Sequence, residues 1–159
     1  MGLDQNLYAI SFNEKNFPKR FFAKDYMNKD GDISLEICEL EYFRKNNLLQ
    51  GYFERKHGVE NCEYVIVSYA DIKNLLNICD NFLKNLPKNF VQEVQDYYNL
   101  SLLEIIEEKL PITEGFFYGN YNLDIDYLIS IVEIKEAFKN VEQHLLNNDK
   151  EKIYYYCWY

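Results

Sequence analysis

Apolar positions along this chain fall into short β-prone runs and longer stripes with helical spacing. Leu7 to Phe12 is the first run and predicts a strand. From Leu35 to Lys56 the residues Leu35, Cys38, Tyr42, Leu49, Tyr52 and Phe53 recur with helical spacing and predict a helix. Gly51 inside it costs about 1 kcal/mol against Ala, which points to close packing there. Gly58 follows as a C-terminal stop. Cys62 to Val67 is rich in β-branched residues and predicts a strand. It runs into Ser68-Tyr69-Ala70-Asp71, a capping-box pattern that opens a helix. That helix carries the stripe Ile72, Leu75, Leu76, Cys79, Phe82, Leu83 and Leu86, and Pro87 ends it. A further helix is expected over Phe90 to Leu110, broken near Asn99 where Ser101 to Glu104 offers a second cap. Pro111 closes it. Asp124 opens a long amphipathic helix with the seam Tyr127, Ile131, Ile134, Phe138, Val141 and Leu145, stopped by Asn147 and Asn148.

Two stretches break these periods. Phe17 to Ile33 is irregular, with Pro18, Phe21-Phe22 and a turn signal at Asn28-Lys29-Asp30-Gly31. Gly115-Phe116-Phe117-Tyr118-Gly119 reads as an aromatic strand or turn bracketed by glycines. Ile153 to Tyr159 (IYYYCWY) is β-prone throughout. The order predicts an α+β fold: a small, largely antiparallel sheet of about four strands, with about four helices packed mainly on one face. At 159 residues, 48% of them hydrophobic, the chain has the size and core content of a single globular domain.

Charge and cysteine usage narrow the class. Seventeen basic residues against 26 acidic ones give a net charge of -9, which argues against broad binding to nucleic acid or anionic lipid. No apolar run reaches the roughly 20 residues of a membrane-spanning helix. The opening Met1-Gly2-Leu3-Asp4-Gln5-Asn6 has no secretory character, and Asn6 stands where myristoylation needs Ser or Thr. A reducing cytoplasm is the expected location. Cys38, Cys62, Cys79 and Cys157 lie far apart with no C-x-x-C pair, so neither a zinc site nor a disulfide framework is expected. Three of the four are expected on apolar faces.

Catalytic signatures are absent from the pattern. The glycines do not cluster as a phosphate-cradling loop requires, and there is no G-x-S-x-G or H-E-x-x-H. His57 and His144 each sit near a helix end, where a dipole-compensating role fits better than general acid–base work. Glu104, Glu107 and Glu108 share a helical face and are the one carboxylate group that could hold a cation, against the simpler reading of a solvated face. Asn28 to Ile33 imitates part of a calcium loop, but Tyr26 and Ile37 occupy its first and twelfth positions, so a turn is expected. No cofactor or metal is called for, and the expected class is non-enzymatic.

Aromatic content is the unusual feature: 15 Tyr, 11 Phe and one Trp, 17% of the chain. In the last strand, Tyr154, Tyr155, Tyr156, Trp158 and Tyr159 put rings on both faces. This fits a central strand buried on both sides. It also fits a Tyr-rich contact surface of the kind enriched at protein interfaces. A second candidate surface is Phe116 to Tyr121, with Gly115, Phe117, Tyr118, Gly119 and Tyr121 as its binding residues, where the glycines allow close approach of a ligand. The basic pair Arg44-Lys45 supplies the charge that a nucleotide pocket beside these rings would use, with Arg55-Lys56 and Lys19-Arg20 as further basic groups. The candidate binding residues are therefore Arg44, Lys45, Gly115, Phe117, Tyr118, Gly119, Tyr121, Tyr154, Tyr156 and Trp158.

These segments resemble a family of small proteins common in bacteriophages and prophages. The resemblance rests on Met1-Gly2-Leu3-Asp4, on Tyr42-Phe43-Arg44-Lys45-Asn46-Asn47 running to Gly51-Tyr52-Phe53, and on Asn61-Cys62-Glu63. It continues through Val67-Ser68, Asp71-Ile72, Leu75-Leu76 and Cys79 to the Gly115–Gly119 box and the tail Tyr154-Tyr155-Tyr156-Cys157-Trp158. Residues 13 to 34 look like an insertion, and Gln50 stands where the family pattern has histidine, Phe43 and Tyr52 where it has tryptophan. The resemblance implies a setting and no mechanism: a small accessory protein that binds a host protein or protein–nucleic acid complex. Inhibition of a bacterial defence system, as by an anti-CRISPR, is the natural role, with acidic charge imitating phosphate. The competing expectations are a protein that sequesters a small nucleotide and a metal-dependent enzyme at Glu104, Glu107 and Glu108; a homodimer is left open.

Overall fold

A computed structural model describes residues 2–12, 17–31, 35–86, 109–119 and 125–159. Five strands form one antiparallel sheet: β1 (Asp4–Ser11), β2 (Arg20–Phe22), β3 (Glu36–Arg44), β4 (Glu63–Ile66) and β5 (Lys152–Trp158), in the order β2-β4-β5-β1-β3. Among the described residues three α-helices accompany them: α1 (Asn47–His57), α2 (Tyr69–Asn85) and α3 (Ile125–Asn147). The fold is thus α+β with an antiparallel sheet. It has one strand more than expected, and most of the helix predicted over Phe90 to Leu110, with Glu104, Glu107 and Glu108, lies outside the described residues.

β5 runs through the middle of the sheet and its alternation sorts the rings. Ile153, Tyr155 and Cys157 face the helices and are buried with Phe53, Ile72, Leu75, Ile134 and Phe138. Tyr154 and Tyr156 face the other way, into a second cluster with Ile10, Phe21 and Tyr64. The residues that cover this outer face come from the stretch that resembled an insertion. Short strand β2 pairs with β4, and a 3-10 turn over Ala23–Tyr26 follows. Phe21 stacks on Tyr64 at 4.7 Å, and Phe12, Phe21 and Tyr26 pack edge-on to one another. Arg20 locks this edge by a two-pronged ion pair, both bonds 2.6 Å, to buried Glu63. The expected turn at Asn28–Gly31 is present, with the Gly31 N–H donating to the Asn28 carbonyl.

The predicted helix over Leu35 to Lys56 is half strand. Its first part is β3, which pairs with β1 along its whole length. A bulge explains why period two is hard to read there: Leu7 pairs with Glu41 and Tyr8 with Glu39, which leaves Leu40 as the extra residue. The bulge lets Leu40 join the core and breaks the alternation into spacings that mimic a helix. Asn46 then caps α1, its side chain accepting from the Leu49 N–H. Arg44-Lys45 and Arg55-Lys56 are therefore not on one helix. Cys38, expected on an apolar stripe, is exposed on β3; Cys79 and Cys157 are buried, and all four thiols are free. Gly115–Gly119 is a turn, closed by the Tyr118 N–H on the Gly115 carbonyl, and pairs with no described strand.

Gly51 shows the close approach that its place in a helix suggested. A Cβ there would lie 1.7 Å from Thr113 Oγ1 and 2.8 Å from Thr113 Cβ. The segment after Leu110 therefore rests directly on the α1 backbone. Gly51→Ala should lower the melting temperature despite the better helix propensity of Ala, because overpacking of this kind costs about 1–3 kcal/mol. Thermal unfolding followed by circular dichroism checks this, and adding Thr113→Gly should recover the loss.

Candidate functional site

A chain of buried polar side chains ties the sheet to α1 and to the aromatic box. The Tyr155 hydroxyl accepts from Gln5 Nε2 at 2.7 Å and donates to Gln50 Oε1 at 2.6 Å. Gln5 also bonds the Asn46 backbone in both directions, from its Nε2 to the carbonyl and from the N–H to its Oε1. On the other side Gln50 Nε2 donates to Glu54 Oε1 at 2.9 Å, and Glu54 accepts from the Tyr118 hydroxyl. Burial is the main reason that the Tyr155 and Tyr118 hydroxyls hold their protons well above the ordinary range. Gln50, at the position where histidine was expected, is a fully buried crosslink between Tyr155 and Glu54. An amide suits that place because it donates and accepts at once.

This scaffold places the box against the β3–α1 junction. Leu3 bridges them: its N–H donates to Phe117 O and its carbonyl accepts from Lys45 N–H. Lys45 adopts a left-handed conformation, φ 59°, and its stem runs past Gly119, where an added Cβ would lie 3.0 Å from Lys45 Cβ. Gly119 itself has φ +93°, a conformation that L side chains rarely adopt. Arg44, Lys45 and Gly119 thereby line one concavity of about 260 Å³. Among the described residues its other walls are Asn47, Leu48, Ile112 and the α3 residues Asp126, Tyr127, Ile129, Ser130 and Glu133. Phe117 packs near Tyr159 at the core edge, and Tyr118 is buried with Gly115 beneath its ring. Tyr121 lies outside the described residues.

The second candidate surface is the outer face of the sheet. Cross-strand register sets Trp158, Asp4 and Arg44 in one row and Tyr156, Asn6 and Tyr42 in the next. The β2 cover does not extend to this end: Tyr42 is 52% and Trp158 50% exposed. Between them Asp4 accepts from the Tyr42 hydroxyl, and Glu39 accepts from Asn6 Nδ2 at 2.7 Å. Burial, followed by the charges of Tyr64 and Glu39, pushes the Tyr8 hydroxyl up to about 12. Tyr154, by contrast, is fully buried under Phe21 and Phe12, so the far end of the strand presents no ring to solvent. Phe116, within the expected second surface, is 92% exposed, whereas exposed Tyr42 stood outside both expected surfaces. The assignment of Tyr42 to a helical stripe hid it.

Both histidines have carboxylate partners that sequence spacing did not reveal. His144 Nε2 lies 2.5 Å from Glu151 Oε2, joining the end of α3 to β5. His57 Nε2 lies 3.1 Å from Oδ1 of Asp71, a buried carboxylate that also takes Lys56 Nζ at 2.7 Å and the Tyr52 hydroxyl at 3.0 Å. The other Asp71 oxygen completes the capping box with Ser68. Burial opposes the charge on Asp71, but the bonds from Lys56, Ser68 and His57 outweigh it and hold the carboxyl well below the usual range. Every donor here is committed to holding α1 against the start of α2. No group of His, Cys, Asp and Glu among the described residues is arranged to hold a metal ion, and none of their helices is long and apolar enough to cross a membrane.

Comparison with known protein families, with curated proteins and with solved structures gives no match for this chain.

Because the folded-state pKa of Asp71 is depressed, its contribution to stability is present above the unfolded value near 4 and is lost as pH falls through the folded one. Asp71→Asn should therefore cost about 2 kcal/mol at neutral pH. It should also flatten the decline in stability between pH 5 and pH 2. Urea unfolding across that range measures both.

Proposed function

We propose that this chain is a non-enzymatic phage or prophage accessory protein that binds a host macromolecule and inhibits a bacterial defence system, in the manner of an anti-CRISPR. The observation that carries the reading is the open end of the outer sheet face, where exposed Tyr42 and Trp158 flank Asp4 beside Glu39. Rings and carboxylates on one surface suit a partner rich in arginine and lysine, since guanidinium groups stack on aromatic faces and pair with carboxylates. A net charge of -9 favours the same partners at long range. Surfaces that bind nucleic acid have this basic chemistry. The resemblance to small phage proteins supplies the setting, and the commitment of the buried polar groups to structure supports binding over catalysis.

Tyr42→Ala combined with Trp158→Ala removes the exposed rings without touching the core. Affinity capture from host lysate with the unaltered protein should recover a basic, nucleic-acid-binding partner, which the double variant should retain at least tenfold more weakly with its fold intact by circular dichroism. Adding the unaltered protein should displace nucleic acid from that partner. Recovery of no partner, or equal recovery by the double variant, would overturn the reading.

A further inference from the structure

The concavity at the β3–α1 junction holds opposite charges apart. Arg44 at the end of β3 and Lys45 in the link to α1 line it on one side, and Asp126 and Glu133 line it from α3. Several basic residues of the fold take carboxylate partners, Lys56 with Asp71, Lys73 with Glu142, Lys135 with Asp80 and Arg20 with Glu63, whereas others, Arg55 and Lys84 among them, form no ion pair with a described residue. Arg44 and Lys45 form no ion pair with any described residue, although two carboxylates line the same cavity and the chain as a whole is acidic. The wall that carries them is rigid: Lys45 is fixed by its backbone bond to Leu3 and by the close approach of Gly119, and Asn46 is bonded to Gln5. Glu133 is steadied by Asn46 Nδ2 at 3.4 Å. Between the charged walls lie the buried apolar surfaces of Leu48 and Tyr127, with half-buried Ile112 beside them.

We propose that this cavity binds a small zwitterion of the α-amino-acid class with an apolar side chain. Its carboxylate lies against Arg44 and Lys45, its ammonium against Glu133 on the α3 wall, and its side chain over Leu48, Ile112 and Tyr127. A ligand with both charges meets Arg44 and Lys45 on one wall and Glu133 on the other, whereas a nucleotide would bring phosphate charge up against Glu133. A volume of about 260 Å³ also suits a molecule of amino-acid size. Arg44 also stands in the outer-face row beside Asp4, so Glu133→Gln, which lies on α3 away from that row, is the variant that separates this proposal from the partner-binding reading.

The test is isothermal titration calorimetry and thermal shift with leucine, isoleucine, valine and methionine on the full chain. At least one should bind and raise the melting temperature in proportion to the logarithm of its concentration. For that amino acid, the amide (no carboxylate) and the deaminated acid (no ammonium) should each bind at least tenfold more weakly. Arg44→Gln and Glu133→Gln, both at exposed positions, should weaken binding to a similar degree while the unliganded melting temperature stays within a few degrees. The proposal is overturned if none of the four binds, if the deaminated acid binds as well as its parent, or if neither variant changes the affinity.

Discussion

The hydroxyl of Tyr155 is the constraint on which the rest of the structure depends. It lies fully buried under the helices at the centre of the sheet, with its ring stacked on Phe53 at 4.0 Å. A buried hydroxyl without partners costs about 1–3 kcal/mol, so the fold must bring it a donor and an acceptor. Gln5 on β1 is the donor and Gln50 on α1 the acceptor, and each has a further obligation. Gln5 must meet the Asn46 backbone, which fixes where β3 ends and α1 begins. Gln50 must meet Glu54, which in turn receives Tyr118 and so fixes the aromatic box. Among the described residues no buried side-chain polar atom is left without a partner. One tyrosine therefore sets the relative positions of two strands, a helix and a turn.

The two candidate surfaces follow from this arrangement. The cavity exists because Lys45, Gly119 and the start of α1 are held in place from within, while α3 closes the other side. The exposed aromatic end of the outer face exists because, among the described residues, the helices pack on one side of the sheet. The other side relies on a short piece of chain, residues 17–31, that covers Phe21, Tyr64 and Tyr154 and stops short of Trp158 and Tyr42. Rings that would form core under a full second layer are left facing solvent there. Their price is apolar exposure, and a bound partner would remove it.

Groups that look reactive in isolation are absorbed into packing. Asp71, Lys56, His57 and Tyr52 form the densest ionisable cluster among the described residues, yet every contact serves the α1–α2 corner. Burial pushes the thiols of Cys79 and Cys157 up to about 12, the reverse of what a nucleophilic thiol requires.

By itself the sequence determined whatever depends on neighbours a few residues apart. The capping box Ser68–Asp71, the stripe of α2, the seam of α3, the glycine contact in α1 and the two-faced alternation of the last strand are local, and each could be read directly. Tertiary structure decided what depends on partners distant along the chain. β3 is a strand because β1 lies beside it, and its bulge hid that from any count of spacings. Which tyrosines are covered depends on where residues 17–31 end. The meeting of Arg44 and Lys45 with Gly119 depends on a bridge through Leu3 that no periodicity encodes. Periodicity reports the shape of a segment, whereas burial and register are properties of pairs of segments, fixed only once the sheet has closed around Tyr155.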